Sequence, residues 1–372
     1  MKYIAPIAGL VLSLTIIAAA TFYISKRFAL FFPIVSFKGW LWIFGGFTVA
    51  LFLGVGSQLF FSIPNIFEKI IFIVGSFWLA IMLYLLLSIA VTDLINLFFK
   101  ISPTLRGLAS LILANTIIIY GVANATTIKV KEISIPIAGL TKEIKAVHIT
   151  DIHLGYFWGK KHLEKIVDKT IELNPDVIFN TGDFFDNKSY FREKSYIREP
   201  LDKLTIPHYF VNGNHDEYAG IEEVVEMLKA AGVIVLQNEI SYFGELQIIG
   251  LNDMLKDENS LDMHPKSGTE TIKSVMSKLP IEENRPTIVL HHRPNGVEYM
   301  EAKNANLLLA GHTHGGQLFP ITLMANAMFP YNKGLYKYGN MNIYVSTGLG
   351  TIFPLIRIGT NSEIILIRLV PQ

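Results

Sequence analysis

No cysteine occurs among the 372 residues. Disulfides, thiolate zinc sites and cysteine nucleophiles are therefore excluded, and any bound metal must be held by oxygen and imidazole. A disulfide-free domain can live on either side of a membrane, so the compartment stays open. Charge of one sign is also scarce. The formal net charge is +1 with no long run of like charges, which argues against nucleic acid or another polyanion as the main partner. Internal repeats and low-complexity tracts are missing. Residues 1–125 are poor in charge of either sign: they hold Lys2, Lys26, Arg27, Lys38, Lys69, Lys100 and Arg106 against Glu68 and Asp93, and all ten histidines lie beyond them.

That first stretch, 1–125, has the makeup of a multi-pass membrane domain. A hydrocarbon core about 30 Å thick needs roughly 20 apolar helical residues. Four segments reach that length, near 3–24, 40–62, 70–97 and 105–123. Buried helices of a soluble core run shorter and carry a polar face. Breaks are expected at Ser25-Lys26-Arg27 with Pro33, at Pro64-Asn65 with Glu68-Lys69, and from Lys100 to Arg106 with Pro103. Trp40 and Trp42 sit where an aromatic belt would lie. A cleaved signal ending near Ala18-Ala19-Ala20 is the alternative for the first segment alone and would leave three spans. Loops one and three hold Lys26, Arg27, Lys38, Lys100 and Arg106, against Lys2 and Lys69 in the N-terminus and loop two. The positive-inside bias puts the former in the cytoplasm and both termini, with the domain that follows, outside it; Lys129 and Lys131 count the other way.

Residues 126–142 read as a connector, and 143–372 as alternating strands and helices. Apolar β-type runs fall near 146–150, 177–181, 208–212, 233–236, 247–250, 287–291, 306–310 and 342–346. Helical periodicity appears over 160–173, 221–231 and 269–279, and 356–369 reads as further strands around a turn at Gly359 to Asn361. Such a chain stacks two sheets as a sandwich with helices outside, leaving the loops of one edge to carry chemistry.

Five motifs follow those runs: Asp151-Ile152-His153, Gly182-Asp183-Phe184-Phe185-Asp186, Gly213-Asn214-His215-Asp216, His292-Arg293-Pro294 and Gly311-His312-Thr313-His314. Asp151 and His153, two apart at a strand end, project to one side and can grip one cation. His312 and His314 repeat that spacing between glycines. Asp183 is the candidate bridge, because a carboxylate can bind a different cation with each oxygen. Asp186 is either hydrogen-bonded to a ligand or a loop amide, or a solvated turn residue. Asn214 offers a neutral oxygen. His215 is placed as a proton donor to the leaving group, with Asp216 holding its imidazole in one tautomer. His291 and His292 cannot both face one site, and His292 lies nearer the loop. His148, His162, His208 and His264 fall outside every motif and read as structural or surface residues.

Together these residues resemble the calcineurin-like metallophosphoesterase superfamily, matched over roughly 143–369. His314-Gly315-Gly316-Gln317 and Ser346-Thr347-Gly348-Leu349-Gly350 look like its membrane-associated branch, while Asn361-Ser362-Glu363-Ile364 lacks that branch's more usual proline. The resemblance implies an α/β metallophosphoesterase domain with one metal held by Asp151, His153, Asp183 and His314. The other would be held by Asp183, Asn214, His292 and His312. Two divalent cations, manganese, iron or zinc, would acidify a bridging water for in-line attack on phosphorus, with His215 steadying the departing oxygen. The expectation is a membrane-anchored phosphoesterase or pyrophosphatase, a phosphodiesterase among the possibilities. Its partners would be the lipid bilayer and a phosphorylated small-molecule or lipid-linked substrate. Residues 317–329 read either as an apolar lip at the bilayer interface or as ordinary core. The competing class is a membrane sensor or transporter whose phosphoesterase-like domain binds without turnover.

Overall fold

The computed structural model describes residues 4–60, 66–186, 195–253, 255, 257 and 270–372. It divides into two compact units, Met1–Ala123 with Phe353–Ile356 and Asn124–Ile352 with Arg357–Gln372.

Among the described residues of the first unit, four helices are long and apolar enough to cross a membrane: α1 (Ile4–Phe31), α2 (Phe37–Phe60), α3 (Ile66–Asn96) and α4 (Pro103–Thr126). Two expected breaks are helical instead. α1 runs through Ser25-Lys26-Arg27, where Ser25 Oγ donates to Thr21 O at 2.7 Å and Arg27 finds a partner in Asp93 of α3. Glu68 and Lys69 start α3, where an acid suits the positive end of the helix dipole. The Pro64-Asn65 break lies outside the described residues. Pro103 opens α4, a position at which its missing N–H forfeits no hydrogen bond. Inside the bundle, Thr48 Oγ1 lies 2.9 Å from Thr21 Oγ1 and accepts from Trp78 Nε1 at 2.9 Å, joining α1, α2 and α3. A Cβ at Gly75 would lie 2.5 Å from Leu51 Cα. The small residue thus lets α2 and α3 meet backbone to backbone, as membrane helices without a hydrophobic driving force require. Asp93 also accepts from Arg106 of α4 at 3.0 Å.

The second unit begins with β1 (Ile128–Ile137), β2 (Ile144–Ile149), β3 (Val177–Asn180), β4 (His208–Phe210), β5 (Ile234–Val235) and β6 (Glu239–Phe243). It continues with β7 (Leu246–Gly250), β8 (Thr287–Leu290), β9 (Leu307–Ala310), β10 (Gly334–Tyr338), β11 (Met341–Val345) and β12 (Ser362–Pro371). Its helices are α5 (Lys160–Leu173), α6 (Ser195–Leu201), α7 (Asn214–Ala230), α8 (Ile272–Lys278), α9 (Val297–Glu301) and α10 (Ile321–Met328). One sheet orders β1-β12-β2-β3-β4-β5 and the other β10-β11-β9-β8-β7-β6. β2 to β5 run parallel, as do β7, β8, β9 and β11; antiparallel pairs form both margins of the second sheet, whereas in the first the antiparallel pair is β12 with β2.

The stretch 126–142, read above as a connector, holds β1, which pairs with β12 in parallel from Ile128↔Ser362 to Ile137↔Pro371. Only β12 forms within 356–369; Leu318↔Ile358 is an isolated bridge. Alternation builds the core. Ile288 and Leu290 of β8 and Leu307 and Leu309 of β9 face Ala146, Val177, Phe179 and Ile365 of the other sheet. Val289 and Leu308 face the opposite way, onto Ile272, Val275 and Met276 of α8. Each such side chain removed from water contributes about 1.5–3 kcal/mol. α5 covers its sheet with Leu163, Ile166, Val167 and Thr170, one face at helical spacing. All five motif loops leave the C-terminal ends of parallel strands β2, β3, β4, β8 and β9, where open α/β sheets gather their ligands.

Candidate metal centre

The loops after β2 and β3 run side by side, with Asp151 N donating to Gly182 O at 2.9 Å and His153 N to Asp183 O at 3.0 Å. Neither continues as extended strand. Asp151 (φ 52°), His153 (φ 51°), Asp183 (φ 51°), His312 (φ 71°) and His314 (φ 48°) all sit in the left-handed region, disfavoured for any residue with a Cβ. Convergence of each Asp-x-His or His-x-His pair thus comes from a left-handed turn, not from strand alternation. Such strain persists only where surrounding structure over-determines it, and it concentrates at functional sites.

Among the described residues three groups form, each with potential ligand atoms within 4.8 Å of one another: Asp151, His153 and His314; Asp151, Asp183 and His292; and His153, Asp186 and His215. His314 Nε2 lies 3.0 Å from His153 Nε2 and 3.3 Å from Asp151 Oδ1. Asp183 Oδ2 lies 3.6 Å from His153 Nε2 and 3.2 Å from His292 Nε2, between the two halves of the cluster. Its other oxygen is engaged: Oδ1 accepts the His215 N–H at 2.8 Å. Close approach here needs Gly213, whose added Cβ would lie 2.1 Å from Asp183 Oδ1.

On the other side, His292 Nδ1 donates to Thr181 O at 2.7 Å, leaving Nε2 buried and without a hydrogen-bond partner. Asn214 Oδ1 is likewise buried and unpartnered. His312 stacks edge-on against His292 with centroids 5.1 Å apart, while its backbone N–H donates to the Asp151 carboxylate. Of the seven expected ligands, Asp151, His153, Asp183, His292 and His314 cluster within ligand distance, Asn214 is buried, and His312 is only partly buried. Orphaned acceptors beside two carboxylates fit a divalent cation, because unsatisfied buried polar atoms are costly. His291 points away to Asn295 Oδ1 at 3.0 Å, and burial lowers it to about 4, as expected if only one of the pair faces the site.

The electrostatics call for positive charge at the centre. Burial alone would raise Asp151 and Asp183, yet the surrounding imidazoles hold both carboxyls below the usual range. Burial would lower His153 and His292, but the carboxylates around them push both up to about 10. His314, with less compensation, falls to about 3 through burial. The cluster stabilises either protons on its histidines or cations among them.

His215 opens α7, which begins at Asn214 and not near residue 221 as its apolar spacing suggested; a kink at Gly220 separates the two parts. The expected pairing of His215 with Asp216 is corrected. Asp216 accepts the amides of Gly213 at 2.9 Å and Phe185 at 3.0 Å, because the third helical residue turns back to cap its own N-terminus. Asp186 takes the role instead, with Oδ1 3.1 Å from His215 Nδ1 and 3.5 Å from His153 Nδ1. Burial would lower His215, but Asp183 and Asp186 outweigh it and its pKa rises.

Two further groups carry no sequence signal of their own. Arg357, fully buried, donates to Thr347 O and Gly350 O at 2.6 Å and lies 3.2 Å from His314 Nδ1. It braces the loop whose Gly350 N donates to Asp151 O at 2.6 Å. Asp253 accepts Arg293 in a two-pronged pair at 2.8 and 3.2 Å. His148 is buried against Thr181 Oγ1 at 2.9 Å, His162 packs on Trp158 and His208 is buried in β4. His264 lies outside the described residues. Two aromatic rings stand beside the cluster: Tyr218 is 5.9 Å from His215 and Phe329 is 6.2 Å from His312, centroid to centroid.

Comparison with known proteins matches residues 144–316 to the calcineurin-like phosphoesterase family. An uncharacterized metallophosphoesterase of Helicobacter pylori (strain J99) is 33% identical over 66% of this chain and 64% of its own length. A transmembrane protein with metallophosphoesterase domain from Danio rerio is 32% identical over 68% of this chain and 60% of its own. The uncharacterized metallophosphoesterase YkoQ of Bacillus subtilis (strain 168) is 30% identical over 65% and 90% respectively. The chain therefore spans less than two thirds of the first two relatives.

Proposed function

Because this chain belongs to the calcineurin-like phosphoesterase family, we propose that it is a membrane-anchored, metal-dependent hydrolase of phosphoester or pyrophosphate bonds. The observation that carries this reading is Asp183 Oδ2 lying between His153 and His292, in a cluster that also gathers Asp151 and His314. Asp151, His153, Asp183 and His314 would hold one divalent cation. Asp183, Asn214, His292 and His312 would hold the other. Two such cations supply an acidified water and positive charge for the phosphoryl oxygens.

The chain's own groups do the rest. Asp151 and Asp183 offer only two negative charges, so a cation pair leaves a positive excess that draws in a phosphate anion. His215, with Nδ1 turned to Asp186, keeps its other nitrogen for the leaving oxygen. A domain that only binds has no use for that proton donor. The arrangement of basic loop residues favours the extracytoplasmic side for this domain, and four spans favour a phospholipid or lipid-linked substrate over a wholly soluble one. Manganese is the metal expected to activate in vitro.

Asp183→Asn tests the proposal. The variant is expected to lose bound metal by elemental analysis and nearly all hydrolysis of aryl phosphate, bis-aryl phosphate and lipid pyrophosphate. Full hydrolysis by Asp183→Asn would sink it, and so would metal addition that gives the parent chain no activity.

A further inference from the structure

α10 directly follows the loop that carries His312 and His314, and its two faces differ. Thr322 and Ala325 are buried beneath Gly316 of that loop. Leu323 (59%), Met324 (63%) and Met328 (60%) are exposed, with Ile321 beside them, and no residue of Ile-Thr-Leu-Met-Ala-Asn-Ala-Met is charged. At its C-terminal end, Phe329 reaches the ring of the candidate ligand His312. The next segment is tied back to it by Asn332 Nδ2 donating to Asn326 Oδ1 at 2.6 Å; it brings exposed Leu335 and Lys337, while Lys333 Nζ donates to Gly359 O at 3.1 Å. An uncharged, largely apolar surface followed by an exposed lysine suits an element lying in a bilayer interface, with its apolar side among acyl chains and the ammonium at head-group level.

We infer that α10 is a bilayer-docking surface, and that its occupant is the phospholipid bilayer which this chain's own apolar helices cross. The inference rests on the membrane-anchored reading above and adds to it the contact through which a membrane-borne phosphate would be delivered. Two observations select a bilayer over a protein partner. Covalent connection is short, since α4 ends at Thr126 and β1 begins at Ile128, so the chain that carries α10 stays tethered to the helices proposed to cross the bilayer. Clustered exposed apolar side chains beside a candidate metal site would otherwise stand in water, which soluble surfaces avoid over large patches.

Absence of cysteine makes the test direct. Met324→Cys and, as a control on exposed α5, Ile171→Cys are each labelled with an environment-sensitive fluorophore in the full chain; Leu323→Cys serves as a second reporter. The protein is reconstituted in phosphatidylcholine–phosphatidylglycerol vesicles, with either plain or brominated acyl chains, and with iodide present on both sides. Emission from positions 323 and 324 is expected to shift to the blue relative to 171, to lose intensity with brominated lipid and to be spared by iodide. Quenching by iodide equal to that at 171 overturns the inference. Shielding from both quenchers also overturns it, since a protein would then cover the face. Turnover gives a second readout: joint Leu323→Gln, Met324→Gln and Met328→Gln should slow hydrolysis of a phosphorylated lipid in the vesicle and leave a soluble aryl phosphate unaffected. A parent chain that hydrolyses neither substrate sinks the hydrolase reading alone, because the fluorescence result needs no turnover.

Discussion

Among individual residues, Asp186 and His215 show how much a carboxylate's position matters. Asp186 faces His215 and His153 at once, so it orders the proposed proton donor and a candidate ligand together. His215→Gln is expected to lower kcat by about 10²–10⁴-fold, the usual contribution of a positioned acid, with metal content unchanged. Asp186→Asn should cost about 10–100-fold and weaken metal affinity as well, as expected of a group that orients a ligand. Steady-state kinetics alongside elemental analysis separates the two. A different effect belongs to His208, which burial lowers from its ordinary 6.5 to about 4. The unfolded chain binds its proton first. Stability from this residue is therefore complete above pH 6.5 and lost as pH falls toward 4, by roughly 3 kcal/mol at the limit. His208→Leu should flatten the melting temperature's dependence on pH across that window; an unchanged slope would show that His208 is not held neutral.

Elements explain what was legible in the sequence and what was hidden. β2, β3, β8 and β9 are buried on both faces, so they read as continuous apolar runs, and the motifs at their ends marked the site. β1 escaped because Lys129, Lys131 and Glu132 give it a polar margin; its pairing partner lies more than 200 residues away in sequence. Its inner residues are nonetheless core, and Ile135→Ala is expected to cost about 2–5 kcal/mol in thermal or denaturant unfolding. The start of α7 was hidden for another reason. Gly213-Asn214-His215-Asp216 has no apolar periodicity, and adjacency made Asp216 the obvious partner for His215, whereas helix geometry turns it back to the Gly213 amide. Arg357 stands alone between two isoleucines, and only the folded loop shows the carbonyls it gathers. Left-handed φ values at five candidate ligands are likewise invisible in residue identity, since aspartate and histidine do not announce them as glycine does.

At the scale of the whole molecule, four apolar helices precede the phosphoesterase domain, and relatives that share the domain are named as transmembrane proteins. Basic residues are sparse enough for a few of them to set orientation. A reporter fused at Gln372 is expected to be active outside the cytoplasm, and exclusive cytoplasmic activity would reverse the proposed topology. The two six-stranded sheets supply the site unequally but jointly: Asp151, His153, Asp183 and Asn214 follow strands of one, His292, His312 and His314 strands of the other. Each proposed cation would therefore draw ligands from both layers and act as a rivet across the seam of the sandwich. If the proposed cations bind, each would stabilise the folded domain by about 2.7 kcal/mol when free metal stands at a hundred times its dissociation constant, and a chain starved of metal would be expected to loosen first at that seam.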